Sequence, residues 1–427
     1  MGSGLFRMNT DKKIILSRAL TNSGDQAWDF AVPVSLAILL PGKLNLVALV
    51  FFISRLSHVL LLPLVGQFMD RISRMQTLQV GLSAQFLGVL IQAVSIVNFS
   101  THNELILVGV IVGGILTGLG SAMTNIGVAQ DLVPSLFSGP QLTQVNSRVR
   151  QVDLFSEVCS PIVAGLLLLI SYPQFPQAGL CVVAIWNLVS FFPEYILIKE
   201  VLVSQRDMLR KPPTSSTRTP IWKKLSGGWR DLLKLSIAPA VFAYALLWLS
   251  ALSPHGVLLT SYLKESWKLP ELTLGIFRGL GAIFGLIATL IFPILVSRFG
   301  LLRACRHSIV FQSFMLIVAL VAFHLRAEWM FLGFILFSRI GLYAFSLGEQ
   351  QIRQTGIPES LRGSVNATAS ALTGIGTLCL LGLGSILGSV EKFDRLVDIS
   401  VLCVAMAGVL YSFGMKRHVE FDLKNNS

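Results

Sequence analysis

Long apolar segments recur along the whole chain and alternate with short polar ones. Each apolar segment runs for about 18 to 25 residues, which is long enough to cross the hydrocarbon core of a bilayer as a helix. Backbone polar groups in lipid must pair within their own segment, so the chain is predicted to be all-α. The pattern predicts twelve transmembrane helices, near 19–40, 44–67, 76–98, 105–128, 149–171, 179–198, 237–262, 271–296, 304–324, 329–352, 363–388 and 395–415.

A polar stretch separates the first six predicted spans from the last six. Its centre, 211–217, is made of Lys, Pro, Thr and Ser, which is typical of a linker. Apolar residues at helical spacing among lysines and arginines over 221–234 favour a basic amphipathic helix on the inner membrane surface or, equally, a cytoplasmic extension of the seventh span. We therefore divide the chain into an N-terminal six-helix lobe (1–198), a cytoplasmic basic linker (199–236), and a C-terminal six-helix lobe with a tail (237–427).

Composition and charge placement exclude a soluble or nucleic-acid-binding protein. Of the 427 residues, 53% are hydrophobic and 13% charged, and the net charge is +12. Lysines and arginines gather at alternate ends of the spans, as at Arg71 and Arg74 or Lys416 and Arg417. By the positive-inside bias, both termini are predicted to be cytoplasmic. This placement accounts for the basic excess without a nucleic-acid partner.

The five cysteines lie mostly within spans and show no paired spacing, which argues against a disulfide framework or a zinc site. The chain also lacks a Walker loop, a His-Glu-x-x-His helix and a Gly-x-Ser-x-Gly elbow. We therefore expect no enzyme and no cofactor, and transport driven by gradients.

The first span carries an acid inside an apolar segment. Asp25 follows Gly24, and Pro33 lies eight residues further on. A carboxylate at membrane depth costs at least ~2.5 kcal/mol, so it is commonly functional. A helix weakened by Gly and Pro also frees carbonyl groups, as in the cation sites of transporters. The alternative is that Asp25 caps the helix at the water interface.

Further polar residues suit a site for a divalent cation in the N-terminal lobe. In the sixth span Asn187, Ser190 and Glu194 share one helix face, and Gln85 lies at mid-depth in the third span. With Thr21 and Asp25, they supply hard oxygen donors, which favour Ca²⁺-like or Mn²⁺-like coordination and are tolerated by Fe²⁺. Alternatively, the amide and hydroxyl groups of the sixth span only hold helices together.

Two other segments stand out. The seventh span is interrupted by Pro254 and Gly256, so an unwound stretch is predicted to present His255 near mid-membrane. Its alternative is a core histidine. Between spans two and three, 66–74 resembles the loop signature of the major facilitator superfamily, in which Asp70 would pair with arginines when the cytoplasmic side closes. The alternative there is ordinary positive-inside charge.

The first and sixth spans carry a resemblance to a known family. Residues 17–21 and 24–32 (Ser-Arg-Ala-Leu-Thr and Gly-Asp-Gln-Ala-Trp-Asp-Phe-Ala-Val), and 186–190 (Trp-Asn-Leu-Val-Ser) followed by Glu194 and Tyr195, resemble the ferroportins, which are iron exporters. The resemblance extends over nearly the whole chain. Because no long loop separates spans nine and ten, the chain is most similar to bacterial ferroportin homologues.

The resemblance implies a major facilitator fold and export of Fe²⁺, with Co²⁺, Zn²⁺ and Ni²⁺ as further candidate substrates. It assigns the N-lobe metal site to Thr21, Asp25, Asn187, Ser190 and Phe191. Family members also bind Ca²⁺ in this lobe, at positions that match Asp25, Gln85, Asn187 and Glu194. The polar network that closes the cytoplasmic side matches Asp70, Arg74, Asp131, Asn146, Arg150 and Arg362.

The C-terminal lobe departs from the animal pattern. The family's cysteine in span seven reads as Gly256, and span eleven offers Thr377 and Leu380 in place of a histidine. A second metal site would therefore rest mainly on His255, and recognition by the peptide hormone hepcidin is not expected. We expect a monomer in the bacterial inner membrane. The alternatives are a major facilitator exporter of small organic solutes and a non-transporting receptor or scaffold.

Overall fold

The computed structural model describes residues 8–40, 44–98, 106–171, 176–205, 221–254, 256–269, 271–387 and 392–425. Its long elements in these ranges are helices, which we number α1 (Thr10–Leu39), α2 (Leu44–Arg71), α3 (Arg74–Val97), α4 (Ile106–Asn125, followed by a π-helical segment Ile126–Leu132 and a final turn Val133–Leu136), α5 (Gly139–Ser171), α6 (Pro176–Ser204), α7 (Ile221–Lys234), α8 (Ala238–Leu247), α9 (Val257–Glu265), α10 (Glu271–Phe299), α11 (Leu301–His324), α12 (Glu328–Gly356), α13 (Arg362–Leu387) and α14 (Phe393–Asn425).

Among the described residues, ten helices are long and apolar enough to cross a membrane. They are α2 to α6 and α10 to α14. The two remaining predicted spans, 19–40 and 237–262, fall on α1, which carries several charged residues, and on the pair of shorter helices α8 and α9. The all-helical membrane class is thus confirmed, while the count of twelve crossings stays a prediction.

Several helices extend beyond the apolar segments from which they were predicted. Helix α1 begins at Thr10 rather than near residue 19, and α5 begins at Gly139 rather than near residue 149. Hydropathy marks only the part of a helix that lies in hydrocarbon. Lysine, arginine and glutamine are good helix formers, so the same helix continues beyond its apolar segment. The extended ends carry charged side chains that contribute to the contacts described below.

The chain divides into two compact units. The first contains 1–137, 148–228 and 359–368, and the second contains 138–147, 229–358 and 369–427. In the first unit the most extensive helix pairs are α3 with α4 and α1 with α6. In the second they are α11 with α12 and α10 with α12. Each unit has its own core, with Trp28 and Leu62 fully buried in the first and Phe345 and Tyr411 in the second.

The basic segment of the linker forms a helix of its own. Helix α7 ends at Lys234, and three non-helical residues separate it from α8, which begins at Ala238. It is therefore not an extension of the seventh span. Leu232 on this helix is buried, whereas Leu233 and Lys234 are exposed. This alternation is that of an amphipathic helix lying against the protein.

The interruption of the seventh span is longer than Pro254 and Gly256 alone predict. Helix α8 ends at Leu247 and α9 begins at Val257. Side chains replace the missing helical partners of the backbone. The Ala251 N–H donates to Ser400 Oγ (2.9 Å), and Arg339 Nη2 donates to the carbonyl oxygen of Leu252 (2.5 Å). Irregular backbone at membrane depth persists only where protein satisfies its polar groups in this way.

Candidate metal site

The carboxylate of Asp25 is held by side chains from three other helices of the first unit. Asn187 Nδ2 on α6 donates to Asp25 Oδ1 (3.1 Å). Gln85 Nε2 on α3 and Ser121 Oγ on α4 donate to Asp25 Oδ2 (3.2 and 3.3 Å). Asn187 and Gln85 are both fully buried, so the donors lie in the interior of the unit. The alternative interpretation, in which Asp25 caps the helix at the water interface, does not match this environment.

A second hydrogen-bonded pair of residues joins α1 and α6 further along the contact between these helices. Thr21 Oγ1 donates to Glu194 Oε2 (2.5 Å), and both residues are buried. Thr21 precedes Asp25 by about one turn, while Glu194 follows Asn187 by about two. The order of the contacts shows that α1 and α6 run antiparallel. The structure therefore brings oxygen atoms of Thr21, Asp25, Asn187 and Glu194 onto one seam between two helices.

The seam is tight because of Gly24. A Cβ atom at this position would lie 3.0 Å from both Asn187 Cα and Ser190 Oγ. Such separations are shorter than ordinary van der Waals contacts, so a side chain here would push α1 away from α6. Glycine thus keeps Asp25 within hydrogen-bonding distance of Asn187. The remaining two residues assigned through the resemblance, Ser190 and Phe191, are both buried, and Ser190 lies beside Gly24.

One buried oxygen at the site lacks a partner. Asn187 donates through Nδ2, but its Oδ1 is buried and accepts no hydrogen bond. Leaving a buried acceptor unpaired costs about 1–3 kcal/mol, and most native structures avoid this. Ser190 Oγ donates to the carbonyl oxygen of Asn187 (2.6 Å), not to this amide oxygen. An amide oxygen beside a carboxylate fits a cation that binds oxygen donors, such as Ca²⁺ or Fe²⁺.

Charged donors at the site are few. Among the described residues, no group of three or more His, Cys, Asp and Glu side chains is arranged to hold a metal ion. Asp25 and Glu194 supply the carboxylates, and amide and hydroxyl oxygens supply the rest. A site built here would therefore bind a divalent ion with few negative charges. His255, the predicted ligand of a second site, lies outside the described residues.

Three polar residues near Asp25 were not predicted from the sequence. Ser121 contacts Asp25 directly, and Thr124 Oγ1 donates to Gln85 Oε1 (3.3 Å), which fixes the orientation of that amide. Asp29 lies one turn beyond Asp25 on α1, and its side chain is exposed. The four-residue spacing of Asp25 and Asp29 is a signal that places both acids near one face of the helix. The two hydroxyl residues give no comparable signal.

Three of the six residues predicted for the cytoplasmic network, Arg74, Asp131 and Arg362, meet in the first unit. Arg74 Nε and Nη2 donate to the two carboxylate oxygens of Asp131 (3.0 and 2.9 Å), and both residues are buried. Arg74 also contacts Glu359. Arg362 Nη1 donates to the Asp131 backbone carbonyl (3.2 Å) and to Ser135 Oγ (2.7 Å). Asp131 lies on the π-helical segment of α4, a type of helical irregularity that is frequent at functional sites.

The Asp70 carboxylate, also predicted for this network, contacts the backbone of α13. It accepts hydrogen bonds from the backbone N–H groups of Gly363 (2.6 Å) and Ser364 (2.8 Å), and so caps the start of α13. An acid at a helix N-terminus is favourable because it pairs with the free N–H groups and interacts with the positive end of the helix dipole.

Asn146 lies outside the arginine network. It exchanges two hydrogen bonds with Gln354 in the second unit (2.6 and 3.1 Å). Arg150 is half-buried on α5.

The fold and this site indicate first the general class of protein to which the chain belongs. Two helical units whose described residues contain ten apolar spans, with buried acids and amides inside one unit, are typical of a secondary transporter. The proton:xylose symporter XylE of the major facilitator superfamily aligns with a TM-score of 0.70 over 93% of this chain and 94% of its own, at 14% identity. This likeness shows the fold alone.

Closer relatives identify the family. The family model described as Ferroportin1 (FPN1) matches residues 10–404, so the chain belongs to the ferroportin family. It is 41% identical to ferreportin of Bdellovibrio bacteriovorus over 95% of this chain and 94% of that protein. A crystal structure of a bacterial homologue of the iron transporter ferroportin, in the outward-facing state, aligns with a TM-score of 0.87 at 40% identity, covering 95% of this chain and 99% of that one. The resemblance recognised in the first and sixth spans is confirmed.

Proposed function

We propose that this protein exports divalent metal ions, Fe²⁺ foremost, and that Asp25 is the anionic ligand of the transported ion. The observation that carries the proposal is the arrangement around Asp25. Its carboxylate accepts hydrogen bonds from α3, α4 and α6, and the oxygen of Asn187 beside it has no partner. Rotation of the Asn187 amide would direct that oxygen toward an ion at Asp25. The names of the relatives support iron as the substrate.

The donor chemistry supports a set of ions rather than one. Carboxylate, amide and hydroxyl oxygens accept Fe²⁺, and the same cluster would accept Co²⁺, Zn²⁺ and Ni²⁺ with less discrimination than thiolates provide. Ca²⁺ takes six to eight oxygen ligands, so it would recruit Gln85 and Glu194 in addition to Asp25 and Asn187. We propose that Ca²⁺ and the transported ion compete for this cluster.

Transport would proceed by alternating access through twelve crossings. In this proposal the lobes are 1–198 and 237–427, joined by the linker at 199–236, and both termini lie in the cytoplasm of a bacterial cell, beneath its inner membrane. The network of Arg74, Asp131 and Arg362 would form in one state and separate in the other. A buried ion pair that is made and broken as a unit suits such a switch, because separating it incompletely leaves an uncompensated charge.

Metal flux into proteoliposomes tests the proposal. The full chain is reconstituted, Co²⁺ or Fe²⁺ is added outside, and internal metal is followed with a chelating dye. Asp25→Asn keeps the size of the side chain and removes its charge, so flux should fall to the level of empty liposomes. Asp398→Asn is the matched control, because Asp398 is an exposed acid paired with His324 on the second unit.

Two outcomes would contradict the proposal. Wild-type flux in Asp25→Asn would show that this carboxylate is not the ligand. An absence of metal flux in the wild-type protein, together with chelator-insensitive transport of organic solutes, would favour the alternative exporter.

A further inference from the structure

A groove of about 510 Å³ opens on the surface of the first unit, where the beginning of α1 meets the end of α6. It lies apart from the Asp25 site. Its lining combines charged, aromatic and apolar side chains: Lys13, Tyr195, Ile196, Lys199, Glu200 and Val203. This combination differs from a simple lipid-facing surface, which carries apolar side chains alone.

The groove has a surplus of positive charge. Lys13 Nζ pairs with Glu200 Oε2 (2.9 Å), so the one acid of the lining is already used. Lys199 Nζ lies over the ring of Tyr195, 5.5 Å from its centroid, and the Lys199 side chain is exposed. The Tyr195 hydroxyl accepts a hydrogen bond from Gln79 Nε2 (3.3 Å), and its own proton can be donated to a ligand. The groove therefore offers an ammonium and a hydroxyl donor to an anion.

The position of Lys199 along α6 places it at the level of lipid headgroups. Helix α6 has 29 residues and is about 44 Å long, which exceeds the ~30 Å thickness of the hydrocarbon core. Lys199 lies nine residues after the middle of the helix, about 14 Å along its axis. This distance matches half the hydrocarbon thickness. The anion that meets Lys199 would therefore be at the interface of the bilayer.

An apolar stripe on α6 leads into the groove. Ile185, Val189, Phe192 and Ile196 follow one another at spacings of three or four residues, and each is more than half exposed. Lys199 continues the same stripe three residues further on. A single helix face thus presents apolar side chains through one half of the membrane and an ammonium group where that half ends. An anionic phospholipid has the same order of groups, with an apolar acyl chain followed by a negatively charged headgroup phosphate.

We propose that the groove is a binding site for an anionic phospholipid. The phosphate lies against Lys199 and the Tyr195 hydroxyl, and an acyl chain follows the stripe from Ile196 to Ile185. Basic clusters at the cytoplasmic ends of transmembrane helices bind anionic lipids in this manner. The observation carrying the proposal is the surplus lysine at headgroup depth, continuous with the apolar stripe. It does not depend on metal transport.

Native mass spectrometry of the full chain in detergent tests the site. The protein is titrated with phosphatidylglycerol and, separately, with phosphatidylcholine of the same acyl chains. The first phosphatidylglycerol should bind more tightly than phosphatidylcholine. Lys199→Gln should weaken phosphatidylglycerol binding about fivefold and leave phosphatidylcholine unchanged, since one lysine near a membrane surface contributes on the order of that factor. Tyr195→Phe should weaken it to a smaller extent. Lys234→Gln, an exposed lysine of α7, is the control and should have no effect.

Three results would overturn the proposal. One is equal binding of the two lipids by the wild-type protein. Another is unchanged phosphatidylglycerol binding in Lys199→Gln, or an equal loss in Lys234→Gln. The third is displacement of the lipid by glycerol 3-phosphate at similar concentrations, which would assign the groove to a soluble anion.

Discussion

Replacing Gly24 with alanine should weaken metal binding without altering any proposed ligand. The added Cβ would lie 3.0 Å from Asn187 Cα and from Ser190 Oγ, so α1 and α6 must separate by a few tenths of an ångström. This separation would move Asn187, a proposed ligand, away from Asp25, to which it now donates a hydrogen bond of 3.1 Å. A displaced ligand coordinates the ion less well, and a loss of about 1 kcal/mol of coordination free energy lowers metal affinity about fivefold.

Two opposing terms set the stability of Gly24→Ala. Alanine in a helix gains about 0.5–1 kcal/mol over glycine, whereas overpacking costs about 1–3 kcal/mol. The free energy of unfolding is therefore expected to fall by about 0–2.5 kcal/mol. Gly279→Ala on α10 is the matched control, because a Cβ there meets nothing within 4 Å and only the helical gain remains.

Calorimetric titration with Co²⁺ and thermal unfolding in the same detergent measure both quantities. Gly24→Ala should bind Co²⁺ more weakly and unfold at an equal or lower temperature than the wild-type protein. Gly279→Ala should bind normally. If Gly24→Ala matched Gly279→Ala in both measurements, the close approach of α1 and α6 would not position Asp25.

Other parts of the structure give further predictions. Asp131→Asn should lower the free energy of unfolding by up to about 3–5 kcal/mol in denaturant unfolding, because it removes the buried carboxylate that Arg74 and Arg362 share, while Arg74 keeps only its contact with Glu359. Asp398→Asn, in an exposed pair, should lower it by no more than about 1 kcal/mol, and equal losses would refute the argument. Asp70→Ala should lower the free energy of unfolding by about 0.5–2 kcal/mol and should speed hydrogen exchange of the first amides of α13, which the Asp70 carboxylate caps. Unchanged exchange at these amides would contradict the capping. Ser400→Ala should lower the free energy of unfolding by about 1–3 kcal/mol, because it leaves a buried N–H without a partner in the break between α8 and α9. Ser338→Ala, whose hydroxyl donates only within its own helix, should leave that free energy nearly unchanged in the same assay.

The sequence predicted the meeting of Asp25, Gln85 and Asn187 because polar side chains are rare at membrane depth. Such residues turn toward the interior of a bundle rather than toward lipid, so a few of them on different spans are expected to meet there. Arg74 and Asp131 were instead placed in one network by the resemblance to the ferroportins. A charged or amide side chain within an apolar segment is rare, and this rarity is what indicates a contact in the interior of the bundle.

Hydroxyl residues give no such signal, and the sequence therefore missed their part in the site. Serine and threonine in a helix commonly bond to the backbone of the preceding turn, so their presence in a span does not indicate a tertiary contact. Ser121 nonetheless reaches Asp25, and Thr124 orients Gln85. The role of Asp70 also depended on tertiary structure, because a carboxylate can pair with an arginine or cap a helix. The sequence does not show that α13 begins beside it.

The small number of charged groups at the proposed Asp25 site would have a consequence for transport. The carboxylate of Asp25 accepts hydrogen bonds from neutral N–H and O–H donors. In the proposed mechanism an incoming ion would replace these hydrogen bonds, so its binding free energy would be the difference between the coordination free energy and that of the bonds lost. That difference is smaller than the coordination energy itself, which limits affinity. Neutral donors that can satisfy the empty carboxylate also lower the cost of releasing the ion, because Asp25 is never left buried and unpaired. A cluster of three or more carboxylates would bind more tightly, but it would leave repelling charges behind after each release.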